Sequence, residues 1–201
     1  MLMLVKRTWH DWLPVVLMLV LAAIRWPPLW PEGWSSFSPV YALAFCAGVY
    51  FSARLAWWLP LVTLVISDVV LNVFYYKVGP LTVYMIPNYF AYACVIGLGR
   101  AYSPRSSWLH LLCGGLLGAM LFYLVTNTNS WMQNPEYPKT LGGWIQALTS
   151  GIPGYPPTWT FFRNTLLSGG LFTALFVGAM KLTEETEEEE KPVEEAEPEP
   201  E

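Results

Sequence analysis

Apolar positions along this chain gather into six runs separated by short polar or proline- and glycine-containing breaks. A helix that crosses ~30 Å of hydrocarbon takes about 20 predominantly apolar residues. The runs at residues 12–30, 55–76, 81–99, 107–126 and 160–180 meet or approach that length, and the run at 37–51 is shorter. Together they predict an all-α, polytopic membrane protein with about six transmembrane helices. Pro14 falls in the first turn of the first run, where a missing N–H costs nothing. Pro87 falls inside the fourth run and is expected to free the carbonyl of Val83. Such a group is tolerated at membrane depth only where protein or water satisfies it. Gly114 and Gly118, Gly115 and Ala119, Ala44 and Gly48, and Gly170, Ala174 and Gly178 recur at intervals of four. That spacing lets helix backbones approach closely within a bundle.

The connection at residues 127–159 is too long for a plain linker. Leu141, Trp144, Ile145 and Leu148 have helical spacing, with Thr140 as a cap and Gly151 and Pro153 as stops. This predicts a short amphipathic helix on the surface. It could also act as a lid, supplying Trp131, Tyr155 or Trp159 as stacking faces.

Charge divides the chain in two. From Thr183 onward eleven carboxylates face Lys191 alone, a net charge of −10, whereas residues 1–182 carry a net +6. The tail at residues 183–201 is expected to be a disordered, solvated segment, and residues 1–182 a transmembrane helical domain. Within the latter, Lys6, Arg7, Arg54, Arg100, Arg105 and Lys181 fall at the ends of runs that share one side if six spans cross. Lys77, Lys139, Glu32 and Glu136 fall on the other side, with Arg25 near an outer end. The positive-inside bias then places both termini in the cytoplasm. No small-x-small cleavage site precedes Arg25, so the first run is expected to be a retained span rather than a signal peptide.

Polar residues inside the runs are costly in lipid and mark candidate sites. By helical rise, Arg163 lies ~8 Å, Asn88 ~10 Å and Asp68 ~12 Å from the outer ends of their spans. Asn72 stands one turn above Asp68, Asn127 and Asn129 close the fifth span, and Asn164 adjoins Arg163. Asp68 is the only acid inside a proposed span, and Arg163 the base best placed to meet it. The two are expected to pair or share a polar cavity, in a site formed by Asp68, Asn72, Asn88, Asn127, Asn129, Arg163 and Asn164. Tyr84, Asn88 and Tyr92 give the fourth helix a polar-aromatic stripe.

Catalytic and cofactor chemistry finds no foothold. Cys46, Cys94 and Cys113 lack metal-like spacing, and His10 and His110 lack ligand partners in sequence. There is no phosphate-cradling glycine loop, HExxH motif or nucleophile elbow. The chain is therefore expected not to be an enzyme, to need no cofactor and to bind no nucleic acid.

The ordered segments "FSPVYALAFCAGVYF", "LPLVTLVISDVVLN", "TNTNSW", "YPKTLGGWIQALTSGIPGY" and "FFRNTLLSGGLF" resemble a family of small bacterial membrane proteins assigned to transport. That family is similar to the S components of energy-coupling-factor vitamin transporters. The resemblance spans about residues 36–180 and matches at Asp68 and Asn164. It departs where the family carries "GDL", since this chain has Ser168, Gly169, Gly170 and Leu171. It implies a six-helix bundle in the bacterial inner membrane that binds a small-molecule solute near the outer face. It also implies a separate energy-coupling transmembrane subunit with ATPases. The alternative is a membrane scaffold acting through the acidic tail, with the Asp/Arg pair purely structural.

Overall fold

In the computed structural model the backbone is described for residues 2–26, 29, 33–34 and 36–189, and side chains within these from Trp12 to Thr183. Expectations resting on Lys6, Arg7, His10, Glu32 and residues 190–201 lie outside the described residues. Seven α-helices and no strand occur among the described residues. They are α1 (Leu2–Ile24), α2 (Val40–Tyr50), α3 (Ala53–Val70), α4 (Met85–Gly99), α5 (Trp108–Gln133), α6 (Leu141–Leu148) and α7 (Thr158–Glu189). Three segments, Ala53–Tyr76, Trp108–Gln133 and Thr158–Thr183, are long and apolar enough to cross a membrane, as expected of a helical membrane protein.

The short run is the centre of the structure. All but the last of the eleven residues of α2 are buried, and the helix packs against α1, α3, α4, α5 and α7. A helix apolar on every side belongs inside other helices rather than on a surface. Phe45 is fully enclosed, and Phe176 and Val177 of α7 with Val95 and Ile96 of α4 complete the main core. In contrast α3 is peripheral, and Trp58, Val62 and Ile66 stay exposed along it.

Helix boundaries differ from the sequence pattern in ways that have local causes. The first helix begins at Leu2, so Pro14 lies in its middle rather than its first turn. The fourth begins at Met85, which puts Pro87 in the first turn, where no backbone donor is lost. Val83 O is not freed; it accepts from Ile86 N at 3.2 Å. The fifth extends to Gln133, so Asn127 and Asn129 lie within it rather than ending it. The expected tail boundary at Leu182 falls inside α7, which continues to Glu189. Extending a formed helix needs no new nucleus, and glutamate is a good helix former, so this stretch of tail is helical. The surface helix α6 forms as its pattern predicts, with Thr140 Oγ1 accepting from Gly143 N at 3.2 Å.

Successive core helices alternate in direction. Ends of α1, α3 and α5 meet starts of α2, α4 and α7 around one cavity. At the far end Arg100 Nη1 donates to Phe51 O at 3.0 Å, and Lys181 Nζ donates to Pro104 O at 3.0 Å.

Candidate functional site

The turn that continues α3 is widened. Residues Leu71–Tyr75 form a π-helical turn in which Tyr76 N donates to Leu71 O at 2.9 Å. Such turns recur at functional sites because the extra residue re-aims its neighbours. Here Leu71, Tyr75 and Tyr76 line a cavity of about 900 Å³. Its opposite walls are Tyr41 of α2, Tyr92 of α4, Phe122 and Tyr123 of α5, and Phe161 and Thr165 of α7. Tyr92 stacks on Phe122 at 4.9 Å between centroids, and Tyr41 leans on the same ring at 4.8 Å. Gly33, Trp34, Ser36, Phe37 and Ser38, from the α1–α2 connection, close another side.

Asp68 is at this cavity and its cation is Arg25, not Arg163. Arg25 Nη2 pairs with Asp68 Oδ1, and both side chains are largely buried, at 14% and 13% exposure. Arg25 Nη1 also donates to Ser67 Oγ at 2.6 Å, and Tyr89 donates to Asp68 Oδ2 at 2.6 Å. Both carboxylate oxygens thus have a partner. The expected pair with Arg163 fails because Arg163 is exposed and turned along its own helix. Its Nε and Nη2 donate to Asn164 Oδ1 at 3.2 and 3.1 Å, and its guanidinium lies 5.7 Å from the Trp159 ring centroid. Counting depth by Cα positions passed over Arg25, whose long side chain reaches from the end of α1 to α3.

Of the remaining expected residues, Asn88 and Asn127 line the cavity. Asn127 Nδ2 donates to Tyr123 O at 2.9 Å. Asn164 does not line the cavity; it is buried and donates to Gly33 O at 3.2 Å, tying the α1–α2 connection to α7. Asn72 instead holds the α3–α4 connection, donating to Pro80 O at 3.1 Å. Asn129 accepts from Gln133 Nε2 at 2.9 Å and faces a separate apolar groove between α4 and α5. None of the three expected stacking residues, Trp131, Tyr155 and Trp159, lines the cavity. Tyr155 is 71% exposed and Trp131 Nε1 donates to Pro138 O at 2.9 Å. The loop is nonetheless tied to the wall of the cavity, since Tyr123 donates to Leu148 O at 2.8 Å and approaches Thr158 O at 3.2 Å.

Tyr89 and Ser38 carried no sequence signal, being ordinary residues in an apolar setting. Among the described residues no group of three or more potential metal ligands occurs, and the three cysteines are free. The arrangement can enclose a small molecule among aromatic faces, amides and one closed ion pair.

Residues 6–191 match the model of a family of unknown function, DUF6580. No curated protein and no solved structure matches the chain.

Proposed function

We propose, for a chain that belongs to DUF6580, a family of unknown function, that it is a six-span membrane protein capturing a small polar solute. The observation that carries this is the cavity of about 900 Å³ where six helix ends meet. Binding sites of this kind are concave, mostly apolar or aromatic, and carry a few placed polar groups. Arg54, Arg100, Arg105 and Lys181 stand at the far end from it. With basic ends inside, the cavity faces outward and both termini are cytoplasmic. The helix α2 spans only ~16 Å by itself; buried Phe37 and Phe51 extend its passage through protein rather than lipid. A bacterial inner-membrane setting and an energising transmembrane subunit with ATPases complete an S-component-like role.

Reporter fusions after Leu182 and within residues 129–138 test the topology and should report opposite sides. Detergent-purified full-length protein should release a small molecule detectable by mass spectrometry. Reporters on one side, or no released molecule, would overturn the capture role. A scaffold role keeps one supporting observation: α7 carries the first tail carboxylates to Glu189 on a continuous helix. Truncation after Leu182 separates the two, since solute capture survives it and scaffolding does not.

A further inference from the structure

Resting on the capture reading above, we infer that the solute is uncharged and is held by Asn88 and Asn127 while the Arg25–Asp68 pair stays closed. Among the described residues Arg25 and Asp68 are the only charged side chains that line the cavity. They cancel, and the pair is locked by Ser67 on the arginine and Tyr89 on the carboxylate. A charged solute would meet no unpaired countercharge on this wall. A zwitterion could be neutralised only by prising the pair apart, which exposes four engaged groups at once.

The wall offers hydrogen-bonding groups that no protein atom uses. Asn88, from α4, lines the cavity and its carboxamide makes no side-chain hydrogen bond among the described residues. Asn127, from α5, spends its Nδ2 on Tyr123 O and keeps Oδ1 for another donor. The two sit at the start of α4 and toward the end of α5, so they approach an occupant from two helices. Two carboxamides supply both donors and acceptors. They match a solute bearing hydroxyl or carboxamide groups and no ionised one.

The test begins with full-length protein purified in detergent, from which the bound molecule is released and identified by mass spectrometry. The identified compound is then added back at known concentrations to emptied wild type, Asn88→Asp and Asn88→Ala. Size-exclusion profiles check that the variants stay folded. A compound with no group ionised at pH 7, bound at least tenfold more weakly by Asn88→Asp and by Asn88→Ala, is the expected result. A released carboxylate, phosphate or amine overturns the inference and leaves the capture reading intact. So does unchanged affinity in both variants. Release of no compound from wild type overturns the capture reading itself.

Discussion

The two ends of the helical bundle are built from opposite materials. At the far end, backbones touch. A Cβ placed on Gly48 would lie 2.3 Å from Ile96 O, and one on Gly99 would lie 2.3 Å from Phe45 O. Only glycine permits α2 and α4 to cross at that distance. Gly114 admits the Phe45 ring, where an added Cβ would meet it at 2.4 Å. At the cavity end, bulky rings replace the glycines. Tyr41, Tyr92 and Phe122 stand between the same helices, and the ends of the bundle spread to leave a polar space. Residue size, more than charge, therefore decides which end is closed.

That contrast can be broken most forcefully at the ion pair. Asp68→Asn or Arg25→Gln alone leaves a buried charge without its partner and should cost on the order of 3–5 kcal/mol. Thermal unfolding in detergent, followed by loss of the monodisperse peak, reads this out. A variant as stable as wild type would mean the charge is not enclosed as the geometry shows.

Breaking the closed end comes next. Gly48→Ala forces a methyl group against a backbone carbonyl, and overpacking of this kind costs about 1–3 kcal/mol. Its counterpart at the open end is Ser38→Ala. Ser38 Oγ has no hydrogen-bond partner, so its removal should leave stability within about 1 kcal/mol of wild type. Equal losses from the two substitutions would erase the distinction between the ends.

A subtler measurement joins the two charge changes. Arg25→Gln combined with Asp68→Asn should destabilise by clearly less than the sum of the singles, with a coupling of about 0.5–3 kcal/mol. Strict additivity would mean that the residues do not meet. The smallest effect is expected at Arg163. It is exposed and lies along α7 against Asn164 and Trp159, so Arg163→Gln should change stability by less than about 1 kcal/mol. A loss as large as that from Arg25→Gln would restore Arg163 as the partner of Asp68.

Much of the fold was legible without coordinates. The runs that became α3, α5 and α7 were long, apolar and little interrupted, and α6 announced itself through four apolar residues and a threonine cap. Asp68, Asn88 and Asn127 were also legible as site candidates, since a polar residue in an apolar run stands out wherever the run goes. Less could be read where two helices had to be placed against each other. Arg163 and Arg25 both lay near outer ends in sequence, and nothing in either run says which guanidinium turns inward. Asn72 and Asn129 sat at suitable heights yet point to a connection and to another groove.

What the sequence determined by itself was thus the local and the periodic: helical class, apolar segments, the cap of α6, and the split between a basic body and an acidic tail. Each depends on neighbours a few residues away or on composition. What only the tertiary structure decided was the azimuth of each helix about its axis. That angle is set by which small residues let backbones meet, as at Gly48 and Gly99, and it chooses the inward side chains. Depth along a helix can be counted from residue rise, but rotation is a property of the packed assembly. For that reason the cavity took Arg25 and Ser38, Tyr89 turned to Asp68, and Arg163 stayed outside.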